Sequence, residues 1–186
     1  MGAPQGERPA MSDYGVDTPA WQPLPWSWAA ERLAGNRNFW LVTVSRLGAP
    51  HALPVWGVWD ESELRFAFSC SPNARKARNL SENPRCVVMT EDTVECLSIE
   101  GRAAPVAAEQ RREEWIARYL GKYAPMAPGL SAEFIRAHLL FEFEPNRAFG
   151  IIERDEEFAT RATRWMFGRP EAPRSRSASD ASTQKS

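Results

Sequence analysis

The chain has 186 residues, 43% of them hydrophobic, and a formal net charge of −1 at pH 7. This length and apolar content suit one domain with its own core, and the near-zero charge argues against a nucleic acid or an anionic membrane surface as a partner. No apolar run approaches the roughly 18 residues that a membrane span needs, and the N-terminus lacks the basic and apolar regions of a signal peptide, so the sequence predicts a cytoplasmic protein.

Both ends of the chain differ in composition from the middle. Residues 1–20 are rich in Gly, Pro and polar side chains, and residues 169–186 form a Ser, Ala and Arg tract without hydrophobic periodicity. Segments of this kind bury too little apolar surface to order themselves. The sequence therefore predicts a disordered tail at each end and one folded domain over residues 21–168.

The first half of the domain has mostly strand patterns. Residues 27–34 predict a short helix that the following glycine ends. Two aromatic and β-branched runs, 39–45 and 51–59, flank a Leu-Gly turn and predict a hairpin. A third strand follows at 64–68. A basic helix then runs from about residue 75 to 82, where an Asn-Pro pair ends it.

The second half continues with a predicted strand pair over residues 85–90 and 95–106. Helical spacing follows, in one apolar stripe formed by Trp115, Ile116, Tyr119, Leu120 and Tyr123. A short helix near 131–138 precedes a strand at 139–143 that leads into 145–150. Five or six strands in up-and-down order, with helices in the connections, predict an α+β fold built on a small antiparallel barrel.

The three cysteines, Cys70, Cys86 and Cys96, show no short metal-ligand spacing. Their odd number and wide spacing favour reduced thiols that fill the core over a disulfide framework or a zinc site. No metal site is predicted.

The segment Ser69–Leu80 is the most informative in the chain. A strand ends in serines, and a helix opens with the cations Arg75, Lys76 and Arg78 where the helix dipole is already positive. A bound anion would relieve this conflict, because free backbone N–H groups and basic side chains then converge on it. The pattern indicates a phosphate-binding cradle, and the alternative is a solvated basic turn.

An ordered set of motifs resembles a known family. It comprises Phe39–Val44, Gly48–His51, Pro54–Trp59, Arg75–Leu80, Asn83–Pro84, Glu100–Gly101 and Ala159–Phe167. Together they resemble the pyridoxamine 5′-phosphate oxidase-like split-barrel superfamily, and within it the actinobacterial branch of flavin- and deazaflavin-dependent oxidoreductases. The resemblance implies an antiparallel split β-barrel that forms a homodimer with two cofactor sites at the dimer interface.

The resemblance also implies which residues hold the cofactor. The segment His51–Gly57 would run along the flavin or deazaflavin ring and hydrogen-bond its polar edge through the backbone. The phosphate would be held by Ser69, Arg75 and Lys76, and Asn79 would steady the loop or reach the ribityl chain. The implied cofactor-binding residues are thus His51, Pro54, Val55, Trp56, Gly57, Ser69, Arg75, Lys76, Asn79 and Trp165.

Two of these residues have structural alternatives. Trp165 is expected to stack on the ring or to cap the substrate pocket, and its alternative is ordinary burial at an interface. His51 is expected to hydrogen-bond in the ring-binding segment, and its alternative is a satisfied structural histidine.

The implied chemistry is hydride transfer, in which the cofactor carries the reactive atom, so no catalytic side chain is assigned. Pro54–Trp59 and Arg75–Leu80 resemble the versions of these motifs in the deazaflavin branch, and this resemblance implies coenzyme F420, with FMN as the alternative. The acceptor would be a conjugated small molecule such as a quinone, an enone or a tetrapyrrole. An FMN-dependent pyridoxamine 5′-phosphate oxidase-like protein and a non-enzymatic flavin-binding dimer stay open as alternatives.

Overall fold

The computed structural model describes residues 2–168, which form eight β-strands and five α-helices. The strands are β1 (Gly6–Glu7), β2 (Asn38–Val44), β3 (Pro50–Asp60), β4 (Arg65–Cys70), β5 (Arg85–Thr90), β6 (Glu95–Pro105), β7 (Leu139–Ile152) and β8 (Thr163–Met166). The helices are α1 (Trp26–Gly35), α2 (Arg75–Glu82), α3 (Glu109–Tyr123), α4 (Ala132–Arg136) and α5 (Asp155–Arg161). No helix within this range is long and apolar enough to cross a membrane.

Six strands close into an antiparallel barrel in the order β7, β4, β3, β2, β5 and β6, and β6 returns to pair with β7. The 14-residue β7 closes it because its first residues pair with β4 while nearly its whole length pairs with β6. Its second half also pairs with β8, which in turn pairs with β1. The predicted α+β antiparallel split barrel is confirmed, and the two predicted segments 139–143 and 145–150 are one continuous strand.

Aromatic side chains fill the interior of the barrel. The following phenylalanines are no more than 1% exposed: Phe39, Phe66, Phe68, Phe141 and Phe143. Phe66 also explains the glycine at position 57, because a Cβ atom there would lie 1.9 Å from the Phe66 Cζ. Burial of each ring contributes on the order of 2–3 kcal/mol of hydrophobic stabilisation.

Helix α3 builds a second apolar cluster outside the barrel. Its buried face, with Trp115 and Tyr119 among its members, packs on Val58 of β3 and Ala67 of β4. The predicted apolar stripe is therefore the buried side of α3. A carboxylate on β7 attaches the helix, since Glu142 Oε2 accepts hydrogen bonds from Arg111 Nε and Trp115 Nε1, both at 2.6 Å.

The N-terminal segment is ordered, which differs from the predicted disordered tail. Gly6 and Glu7 pair with β8, and the Val16 side chain is 0% exposed. The residues that anchor this segment are single and widely spaced, so they form no periodic pattern in the sequence. The segment is ordered because β1 pairs with the edge of β8. The predicted C-terminal tail over 169–186 lies outside the described residues.

Two helix boundaries also differ from the prediction. Helix α1 covers Trp26–Gly35, so it begins one residue before and ends one residue after the predicted 27–34 segment. Helix α4 ends at Arg136 because β7 begins at Leu139, which shortens the predicted 131–138 segment.

Replacing Glu142 with Ala should destabilise the fold by about 2–3 kcal/mol, because the Arg111 guanidinium and the buried Trp115 N–H would both lose an ionised acceptor. The matched control is Glu144→Ala on the same strand, since Glu144 forms an exposed ion pair with Arg65. We expect the control to cost less than about 1 kcal/mol. Urea unfolding followed by circular dichroism measures both, and equal losses would contradict this role of Glu142.

Candidate functional site

Strand β3 changes partner in the middle of its length. Residues Pro50–Trp56 pair with β2, whereas the pairing with β4 covers only Gly57–Asp60. Within residues 2–168, the segment 50–56 therefore has one edge without a partner strand. Backbone N–H and C=O groups need partners, so this open edge offers hydrogen bonds to a bound molecule.

Two tyrosines of α3 bridge the point where β3 and β4 separate. Tyr119 donates to the Trp56 carbonyl and accepts from the Ser69 N–H. The Tyr123 hydroxyl accepts from the Gly57 N–H at 2.8 Å and lies 2.8 Å from the carbonyls of Gly57 and Arg37. Burial raises the pKa of Tyr119, and it raises that of Tyr123 to about 12. Both hydroxyls stay protonated, which keeps them as donors.

Sequence reasoning missed these tyrosines as site residues. Their spacing marks them only as part of the apolar stripe of a helix. The signal that would have found them is chemical: a Tyr in such a stripe needs a partner for its hydroxyl, and the broken strand ladder supplies it.

Helix α2 begins beside the open edge. Its first residues, Arg75 and Lys76, follow the end of β4 by one short loop. Burial, together with the charges of Arg75 and Lys76, lowers the pKa of His51 on β3, so these three side chains are electrostatic neighbours and His51 is neutral at pH 7. We call His51, Arg75 and Lys76 the basic cluster.

The members of the basic cluster lack partners of their own. Among residues 2–168, Arg75 and Lys76 form no ion pair, and the buried His51 Nδ1 has no hydrogen-bond partner. The third cation of the segment differs, because Arg78 Nη1 donates to the Asn73 carbonyl at 2.7 Å. Two uncompensated cations next to a helix start favour a bound anion.

Asn79 has a supporting position. It is 4% exposed, and its Nδ2 donates to Thr43 Oγ1 at 2.9 Å. Thr43 is the cross-strand partner of His51, so this hydrogen bond fixes α2 against the layer of the sheet that carries His51. The role of Asn79 toward a cofactor, to steady the loop or to reach the ribityl chain, stays a prediction. Thr43 itself was missed, because an inward threonine in a β-branched run has no distinct signal.

The side chains of the segment His51–Gly57 differ in their exposure to solvent. Pro54 is exposed, whereas Val55 is 7% exposed and belongs to the barrel core. Trp56 points to the opposite side of β3 and stacks on Tyr123, with ring centroids 4.6 Å apart. Val55 is therefore at the open edge only through its backbone atoms, whereas Gly57 pairs with β4 just beyond that edge. The Ser69 N–H is joined to the same place by its hydrogen bond to Tyr119.

Trp165 is not part of this site. It is 0% exposed and packs against Trp26 at 5.7 Å and Trp28 at 6.4 Å. Strand β8 is held between β1 and β7, and α1 covers the indole from the other side. The expectation that Trp165 covers a cofactor ring is corrected: in this chain its ring is a core side chain.

Trp165→Ala should lower the free energy of unfolding by about 3–5 kcal/mol, as truncation of a fully packed aromatic residue does. Cofactor affinity, measured well below the new melting temperature, should stay close to that of the original protein. A stable variant with strongly weakened cofactor binding would place the ring at the site after all.

These features define a class of fold: an antiparallel split barrel whose broken β3–β4 ladder leaves a backbone edge beside a basic helix start. The family model described as pyridoxamine 5′-phosphate oxidase matches residues 28–151, which is more than half of the chain. The chain belongs to this family. Among curated proteins no relative is significantly similar to it.

Solved structures of diverse proteins share the fold. The heme storage protein HutZ from Vibrio cholerae is 21% identical, with a TM-score of 0.55 over 67% of this chain and 92% of that one. A putative pyridoxamine 5′-phosphate oxidase from Listeria innocua is 16% identical, with a TM-score of 0.54 over 67% and 95%. An F420 reductase is 19% identical, with a TM-score of 0.51 over 63% and 94%. At these identities the likeness is one of fold.

Proposed function

We propose that this protein binds a phosphate-bearing flavin-type cofactor, coenzyme F420 in the first place, and uses it to reduce a conjugated small molecule. The observation that carries the proposal is the open edge of β3 beside the uncompensated cations of the basic cluster. The family membership and the fold shared with an F420 reductase support it.

The residues present fit such a cofactor. The phosphate would lie at the start of α2, where Arg75 and Lys76 supply charge beside His51. The polar edge of a tricyclic ring would take hydrogen bonds from the backbone of residues 51–55, and exposed Pro54 would contact its flat surface. When bound, the cofactor supplies the hydride. The backbone of β3 would hold one face of the ring, which would leave the opposite face of the ring open to the acceptor.

Neutral His51 suits this arrangement. Because burial, together with the charges of Arg75 and Lys76, keeps the pKa of His51 below the ordinary value, the imidazole adds no charge until an anion binds. A phosphate would reverse that electrostatic environment and favour the protonated form, so cofactor binding and proton uptake are coupled at this residue.

Lys76→Ala should weaken cofactor affinity at least about tenfold, because a charge-assisted hydrogen bond contributes roughly 1.5–3 kcal/mol. The matched control is Arg78→Ala on the same helix, whose guanidinium is held by the Asn73 carbonyl. It removes the same charge and should change affinity much less. Fluorescence titration with F420 and with FMN measures both variants. Unchanged affinity in a folded Lys76→Ala protein would refute the phosphate assignment.

Binding alone does not separate an enzyme from a storage or sensing protein. The open edge offers backbone groups and His51 but no catalytic side chain that we assign, so any reduction of an acceptor would depend on the chemistry of the bound cofactor. Reduced F420 and reduced FMN should each be mixed with the protein and a panel of quinones, enones and tetrapyrroles. Acceptor-dependent oxidation that requires the protein supports the reductase, whereas stoichiometric binding without oxidation of any acceptor supports the non-enzymatic alternative.

We further infer that a second copy of the chain covers the outer face of β2, β3 and β5. Cross-strand pairing places two apolar rows on this face: Trp40 lies opposite Pro54 and Met89, and Val42 lies opposite Ala52 and Val87. Trp40 is 43% exposed, and an apolar sheet face of this kind indicates a protein partner. The face includes Pro54 of the open edge, so a partner seated there would wall the cofactor site.

Trp40→Glu should convert a dimer into a monomer at micromolar concentration, because a charge in the centre of an apolar interface would be buried without a partner. Met126→Glu is the control, since Met126 is 45% exposed but lies outside this face. Light scattering after gel filtration measures the mass of both. A monomeric unmodified protein with full cofactor occupancy would contradict the shared site.

A further inference from the structure

The outer face of the barrel has a row of charged residues on β4, β7, β6 and β5, separate from the basic cluster. Arg102 on β6 lies opposite Glu144 on β7 and also opposite Arg85 on β5. Glu144 is already occupied, since Arg65 Nη2 lies 2.8 Å from its carboxylate. The row therefore reads Arg65, Glu144, Arg102 and Arg85, and its last two members carry the same charge.

Arginines directly opposite each other on neighbouring strands repel, since cross-strand Cβ atoms are only about 5 Å apart. Both Arg85 and Arg102 are exposed, and among the residues that the structure describes neither has a carboxylate within ion-pair distance. The next row of the sheet differs, because Glu100 there is paired with Arg147 at 2.6 Å. Two adjacent positive charges are thus left uncompensated within this chain, and Arg85 lies on β5 at the border of the apolar face that the proposed second copy covers.

The pair stands at the border of two concave regions. Arg102 lines a cleft of about 530 Å³ together with Pro84, Val106 and Glu142. Arg85 lines a neighbouring depression of about 290 Å³. The larger cleft falls within the range of small-molecule sites, and its wall of small apolar residues between Ala103 and Ala108 leaves room for an organic group.

The geometry points to a second anion site, in which Arg85 and Arg102 together bind the phosphate of a small phosphate ester while its organic part lies in the cleft beside Pro84 and Val106. Two planar guanidinium forks match a group with three terminal oxygens. The charge also matches, because a phosphate monoester carries about −1.5 to −2 at pH 7 and would compensate both cations, whereas a single carboxylate leaves one uncompensated.

Phenyl phosphate is the probe, titrated calorimetrically into the full chain. The basic cluster is a second place for phosphate, so Lys76→Ala separates the two sites. We expect the original protein to bind two equivalents of phenyl phosphate, and Lys76→Ala to keep the one bound at the arginine pair. Arg85→Gln and Arg102→Gln should each lower the affinity of the arginine pair for phenyl phosphate at least about tenfold. Arg136→Gln is the control for loss of one exposed cation, because Arg136 is paired with Glu113, and it should bind as the original protein does.

Stability gives an independent readout with a definite sign. Without ligand, Arg102→Gln relieves the repulsion between the two arginines, so its melting temperature at low salt should equal or exceed that of the original protein. Phenyl phosphate should raise the melting temperature of the original protein more than benzoate does. Unaltered phenyl phosphate binding in both arginine variants would overturn the proposal. So would a loss of dimer mass in Arg85→Gln with binding intact, because the pair would then belong to the subunit interface.

Discussion

The change of partner along β3 is the constraint on which the rest of the site depends. A strand in a closed barrel needs a neighbour on each edge, yet β4 accompanies β3 only from Gly57 to Asp60. The hydroxyls of Tyr119 and Tyr123 satisfy backbone groups at the point of separation. Two side chains of one helix thus take the place of the missing strand ladder at this point.

Helix α3 is attached to the barrel at two points. Its C-terminal half is held by the tyrosines at β3, and its N-terminal half is held by Glu142 on β7. The second apolar cluster forms between these two attachments. The helix is therefore part of the site's architecture although none of its residues belongs to the basic cluster.

Charge is distributed over the outer face of the barrel in two zones. The strands β2, β3 and β5 present apolar residues around Trp40, whereas β6, β7 and β4 present ion pairs. An apolar zone suits a second protein surface, and a zone of matched charges suits water. Arg85 and Arg102 lie where the zones meet, and they match neither environment unless an anion is present. The start of α2 likewise has cations without a carboxylate partner. At both places the uncompensated positive charge is the reason for proposing an anionic ligand.

The sequence by itself determined the local elements and the class of fold. Aromatic and β-branched runs, turn residues and the Asn-Pro stop after α2 depend on neighbours along the chain, and the barrel strands follow from them. The cations at the start of α2 were visible as a conflict with the helix dipole. Tertiary structure decided what those patterns contact: β1 needs the edge of β8, Trp165 lies among other tryptophans, and Tyr119 meets the gap in the β3–β4 ladder. Contacts between residues far apart in sequence depend on how the barrel closes, and no local pattern encodes that closure.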